Sequence, residues 1–155
     1  MFKNTYSFHG RLNRSNFFFS SITLLISTII IFFLFSIILW DKNNTLSFIC
    51  YVFVAFNFYR IKLSLMVKRS QDFGKKGQDS YLVSGSVAAD SVVFVASLLV
   101  LFFKSYDMNY LVYIIFGLSS IISAVCQISL TVIKGDEGEN DFGKPQIPLW
   151  KKINP

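Results

Sequence analysis

FFFSSITLLISTIIIFFLFSIILW, Phe17 to Trp40, decides the fold: it contains no charged residue. Its 24 residues would reach roughly 36 Å as an α-helix, enough to cross the hydrocarbon core of a bilayer with some tilt. The run is far longer than the apolar part of a secretory signal, and no small-residue cleavage pattern follows it. It therefore reads as a retained span.

Three more spans follow. The second begins near Thr45 and stays apolar to Tyr59. That is too short to cross alone, so the helix is expected to run on to about Val67, with Arg60 and Lys62 inside the bundle or snorkelling towards the surface. The third covers Tyr81 to Phe103, with Asp90 near its middle, and the fourth Asn109 to Ile133, without charge. The expected fold is thus an all-α integral membrane protein, with four transmembrane helices in two hairpins (spans about 17–40, 45–67, 81–103 and 109–133). Residues 1–16 form an N-terminal segment and 134–155 a C-terminal tail.

Composition agrees. Hydrophobic residues make up 53% of the chain, with 18 Phe, and mean hydropathy is +0.51. A soluble core could not hide that much apolar surface. The net charge of +6 would suggest nucleic acid in a soluble protein. Here the bases flank apolar spans, which fits topology and anionic lipid instead, and no nucleic-acid partner is expected. The two short outer connections carry one base each, Lys42 and Lys104, whereas the other loop bases precede the first span, lie between the second and third, or follow the fourth. Lys/Arg excess marks the cytoplasmic side, so both termini are expected there.

Cys50 and Cys126 lie in apolar runs without the spacing of a metal or redox pair, and the single His9 offers no zinc cluster. No catalytic triad, HExxH or phosphate-binding loop is present, so no cofactor, metal or catalytic site is expected and the chain reads as non-enzymatic. Inside the bundle, small and hydroxyl residues should line the helix contacts. The expected stripes are Gly117, Ser120, Ala124, Gln127 and Thr131 on the fourth span, Ser20, Thr23 and Ser27 on the first, and the small residues Ser84 to Ser91 on the third. A mid-membrane carboxylate needs a partner. Folding the second and third spans about Gly74 and Lys75 brings Arg60 level with Asp90, so Arg60, or failing that Lys62, is expected to pair with it. Such a pair either locks the hairpin or serves a proton- or ion-coupled site.

Three loop segments carry the distinctive residues. Phe8 to Phe17 contains Arg11 and Arg14 and suits a short interfacial helix with its arginines at lipid phosphates. Val67 to Asp79 contains Lys68, Arg69, Asp72, Lys75 and Lys76 around glycines and suits a tight basic turn at the headgroups. Lys134 to Pro145 carries four acids and three glycines; it either docks its acids on the basic loop or remains a solvated tail. Arg11, Arg14, Lys68, Arg69, Asp72, Lys75 and Lys76 are the candidates for binding lipid headgroups or a protein partner. Changing Arg11, Arg69 or Asp72 is expected to break function without unfolding the bundle.

Together these segments resemble a bacterial family of small inner-membrane proteins, domain of unknown function 805 (YhaH-like). Its F-x-G-R-x-x-R start is matched by Phe8, Gly10, Arg11 and Arg14. Its R-R-L-H-D-x-G-x-S-G-W segment corresponds to Lys68, Arg69, Ser70, Gln71, Asp72, Gly74, Lys76 and Gly77. Its closing G-x-x-G-x-N-x-[FY]-G-x-x-P is matched by Gly135, Gly138, Asn140, Phe142 and Gly143, with Pro145 one residue early. The chain departs at Gln71, where relatives usually have His, and at Gln78, where they have Trp. A property resting on that His would be missing here. The resemblance implies a bacterial inner-membrane location and brings no established reaction. The leading expectation is an accessory or regulatory protein binding lipid headgroups or a protein partner at its cytoplasmic face. The alternatives are a small oligomeric transporter or channel using Asp90 and Arg60, and a membrane immunity protein against a pore-forming toxin.

Overall fold

The computed structural model describes residues 7–39, 44–102 and 106–147. The outer connections with Lys42 and Lys104, and the last part of the tail, lie outside these residues. Among the described residues there are four helices, α1 (Arg14–Leu39), α2 (Asn44–Asp72), α3 (Tyr81–Phe102) and α4 (Tyr106–Val132), with one 3-10 turn, Gly77–Asp79, before α3. Each is long and apolar enough to cross a membrane, which makes the chain a multi-pass membrane protein. At 1.5 Å per residue they reach roughly 33–44 Å.

The helix ends follow from local chemistry. Asn13 caps α1, its side-chain oxygen accepting the Asn16 amide at 2.8 Å. No interfacial helix precedes it: residues 7–13 are irregular. α2 continues five residues past Val67 to Asp72, so the first half of the expected basic turn is instead the last turn of a helix. Gly74 then stops it. With φ at +75° it takes the left-handed conformation, and the Lys75 and Gly74 amides turn back onto the Ser70 and Gln71 carbonyls at 3.1 and 3.2 Å.

The helices pack as two hairpins, α1 with α2 and α3 with α4, and α2 also touches α3 and α4. The apolar core lies towards one end: Leu12, Phe17, Leu65, Met66, Val83 and Leu130 are buried together there. Away from that end, α1 exposes Ile, Leu and Phe almost all round, as a helix facing lipid does.

Two expected small-residue stripes are displaced. Along the second half of α4 the buried side chains are Ser119, Ser123, Cys126 and Leu130, each one position before the expected Ser120, Ala124, Gln127 and Thr131. The helix is therefore turned by about 100° from the expected register. The reason is polar: Ser123 faces a charge pair on its neighbours. Ser120 and Thr131 instead donate to carbonyls of their own helix, Phe116 and Gln127, and need no neighbour. On α1, Thr23 is exposed and bonded to Phe19 in the same way. On α3 only Ser86 and Ala89 of the small-residue run are buried. Cys50 and Cys126 are free thiols.

Candidate functional site

The three distinctive segments, far apart in sequence, meet at the end of the bundle where α1 begins and α4 ends. Their centre is Asp72. Arg11 Nε donates to its Oδ1 at 3.1 Å, and Arg69 Nη1 donates to its Oδ2. All three residues are buried. Two guanidiniums around one carboxylate leave one positive charge in excess, and main-chain carbonyls take up the remaining donors. Arg69 Nε donates to Leu130 O at 2.8 Å, its Nη2 to Ile133 O, and its Nη1 also to Leu12 O at 3.3 Å. Arg11 Nη1 donates to Gly138 O at 2.5 Å and to Gly143 O at 3.0 Å; its Nη2 donates to Asp136 O and to Asp72 O at 3.2 Å. Leu130 and Asp72 stand in the last turns of α4 and α2, and Ile133 directly follows α4. Helix C-termini carry unsatisfied carbonyls and partial negative charge, so the arginines cap two helices at once.

The tail docks on this centre by its backbone. The Asp136 amide donates to Asp72 O at 2.8 Å and the Leu12 amide to Lys68 O at 3.2 Å. Asn140 Nδ2 reaches Gln71 O at 3.0 Å and Asp136 Oδ2 at 2.9 Å. Gln71 Nε2 donates to Phe8 O at 3.0 Å, and Gln146 accepts from Asn13 and Asn16. The sequence left open whether the tail's acids dock on the basic loop. The tail does dock beside it, but carbonyls make the contacts with the arginines, and Asp136, Glu137, Glu139 and Asp141 stay exposed. Lys134 holds the exposed Glu137 carboxyl below its usual range through a hydrogen bond, a surface pair of small energetic weight.

One glycine permits this approach. A Cβ on Gly135 would lie 2.0 Å from Asp72 Oδ2 and 3.1 Å from Asp72 O, so any side chain forces the tail off the carboxylate. Gly135→Ala is expected to cost about 1–3 kcal/mol, as overpacking does, and to expose the tail to limited proteolysis. Gly138→Ala, where a Cβ would meet nothing within 4 Å, should leave melting and digestion unchanged.

The seven binding candidates thus divide. Arg11, Lys68, Arg69 and Asp72 are buried and are not open to a headgroup or a partner's surface. Since these residues tie the helix ends and the tail together, changes at Arg11, Arg69 or Asp72 are expected to act on the fold first, where the sequence alone suggested an intact bundle. Arg14, Lys75 and Lys76 are exposed. Sequence reading missed the carbonyl acceptors, which no side-chain pattern reveals; the glycine and asparagine spacing of the tail was the available signal.

A second polar cluster lies within the helices. Asp90 makes its salt bridge with Lys62, at 2.7 Å, rather than with Arg60, the first choice. Residues 60 and 62 lie about 200° apart around a helix. With Lys62 turned inward and buried, Arg60 is exposed on the far side. Ser123 Oγ accepts from Lys62 at 2.7 Å and donates to Asp90 Oδ1 at 2.7 Å. Ser86 Oγ lies 3.2 Å from Ser123 Oγ and 3.5 Å from Asp90 Oδ2. The cluster joins α2, α3 and α4, and neither Ser86 nor Ser123 was singled out for it from sequence.

A family model described as "Protein of unknown function (DUF805)" matches residues 5–144, which take in all four helices, the first two segments and the third as far as Lys144. Comparison with curated proteins and with solved structures gives no match.

Proposed function

The chain belongs to the DUF805 family, described as proteins of unknown function, and on that premise we propose that it is a non-enzymatic accessory protein of the bacterial inner membrane that binds anionic lipid headgroups at its cytoplasmic end. Both termini lie in the cytoplasm in this reading, since Lys42 and Lys104 are the only bases of the outer connections. The observation that carries it is the division of the charged residues. The buried arginines and Asp72 hold the helix ends and tail together, and Arg14, Lys75 and Lys76 remain exposed on the backbone so held. Arg14 opens α1 just after the Asn13 cap, and the Lys75 amide is tied to Ser70 O. Bases fixed at a membrane surface attract anionic lipid at about 1 kcal/mol each.

Chemistry is disfavoured because the ionisable groups best placed for it are saturated. Asp72 is held by two guanidiniums, while Lys62, Asp90 and Ser123 bond one another. That cluster acts as a lock between helices. Native mass spectrometry of the protein ejected from nanodiscs tests the lipid reading. Phosphatidylglycerol should be retained over phosphatidylcholine, with retention falling roughly fivefold for each of Arg14→Gln, Lys75→Gln and Lys76→Gln. Equal retention of both lipids, or a triple variant that holds phosphatidylglycerol as well as the parent, contradicts it.

A further inference from the structure

The tail covers Arg11 without neutralising it. Arg11 Nε faces inward, to Asp72 Oδ1, whereas Nη1 donates to tail carbonyls alone, Gly138 O at 2.5 Å and Gly143 O at 3.0 Å. Nη2 is shared between Asp136 O of the tail and Asp72 O. Three neutral oxygens of the tail thus line the outer edge of a guanidinium. The segment that supplies them carries four acids, yet among the described residues none of its carboxylates bonds Arg11 or Arg69. Asp72 alone faces both arginines, so the excess positive charge stays beneath the tail, held by dipoles. The tail's grip is also polar throughout. None of residues 134–147 is buried, so no apolar side chain anchors it, and hydrogen bonds alone are a modest hold because water competes for them.

We propose that the outer edge of Arg11 is a phosphomonoester site, closed in this structure by the carbonyls of Asp136, Gly138 and Gly143, and opened when such a group displaces the tail. A phosphomonoester brings three strong acceptor oxygens and close to two negative charges, and a guanidinium fork matches it better than neutral carbonyls do. Its charge meets the excess that the tail leaves in place, and the departing tail carries four exposed acids away. A phosphodiester such as phosphatidylglycerol offers fewer free oxygens and a single charge, so it stays on the exposed Arg14, Lys75 and Lys76 with the tail docked. Those bases draw anions to the same end of the bundle. The proposal rests on the lipid reading only for the exposure of this end to headgroups. The phosphate belongs to a lipid, as in phosphatidic acid, or to a soluble anion, and the ligand shifts the tail between two states by its preference for the open one.

The test is hydrogen exchange of the full chain in phosphatidylcholine nanodiscs, read at the Asp136 and Leu12 amides, which bond Asp72 O and Lys68 O. Three additions are compared: phosphatidic acid, phosphatidylglycerol at about twice the mole fraction to match its surface charge, and inorganic phosphate. Phosphatidic acid should speed exchange of Asp136 roughly tenfold and leave Leu12 slow, since the N-terminal segment stays docked. Release by inorganic phosphate as well assigns the site to soluble phosphomonoesters; release by phosphatidic acid alone assigns it to the lipid. Arg11→Lys keeps the charge and loses the fork, so retention of phosphatidic acid in native mass spectrometry should fall roughly tenfold, with retention of phosphatidylglycerol unchanged. Asp136 equally slow under all three additions overturns the proposal. So does equal release by phosphatidylglycerol, which needs only surface charge, or a Leu12 amide that becomes fast together with Asp136, which is unfolding of the helix ends. A preference for phosphatidic acid that survives Arg11→Lys also overturns it. Failure of the parent to retain phosphatidylglycerol, by contrast, sinks the lipid reading and leaves the exchange result standing.

Discussion

Asp72→Ala should destabilise the protein more than any other single change at the helix ends, by about 3–5 kcal/mol. Two buried guanidiniums would lose the one carboxylate that faces them, and no carbonyl nearby can replace its charge. Breaking a buried ion network by removing one member leaves uncompensated charge, and that penalty exceeds the worth of the bonds themselves. The tail should detach first, since Asp136 docks on Asp72 and the Arg11 contacts with Gly138 and Gly143 depend on Arg11 being held in place. Thermal melting in detergent should fall by on the order of 10 °C, and residues 134–147 should become protease-sensitive. Asp72→Asn preserves shape but not charge, so a loss close to that of alanine would place the effect in electrostatics rather than packing.

Lys62→Leu is the second large effect. It strands the Asp90 carboxylate between α2, α3 and α4 with only Ser123 and Ser86 for company. The expected loss is again about 3–5 kcal/mol, and the double change Lys62→Leu with Asp90→Leu should recover most of it, because replacing a whole buried pair by apolar residues is often neutral. Melting of the two single variants and the double variant checks this. Arg60→Leu, on the opposite face, should show no such rescue by Asp90→Leu. A double variant no more stable than Lys62→Leu alone would mean that the pair is not what joins these helices.

The helices themselves were legible in sequence because a bilayer reads a single variable, the length of an uncharged apolar run. Each expected span falls within a few residues of its helix. α2 overran its expectation because Lys68, Arg69 and Asp72 look like loop residues until their partners are known. Helix rotation was harder to read. The stripe from Gly117 to Thr131 is regular, yet α4 turns Ser119 and Ser123 inward, since a lysine and an aspartate on its neighbours outweigh small size. The same blindness put Arg60 before Lys62: level along the axis follows from counting residues, whereas facing depends on the packing of every helix.

The distinctive segments were found from sequence, and their roles were not. Charged residues beside a span suggest headgroups, and that reading suits Arg14, Lys75 and Lys76. It fails for Arg11 and Arg69, whose donors are occupied by carbonyls of segments up to 132 residues away. Main-chain acceptors leave no mark in sequence. Gly135 left a faint one, a position where only hydrogen fits against Asp72.

Backbone hydrogen exchange of the protein in nanodiscs tests the central claim most directly, read at the amides of Leu12 and Asp136. Both lie outside the helices, and each is bonded only through the docking of the three segments, to Lys68 O and Asp72 O. In the parent protein both should exchange slowly, and in Asp72→Ala both should become fast while amides in the middle of α3 and α4 stay protected. Fast exchange of Leu12 and Asp136 in the parent would mean that the segments do not form the buried centre described here.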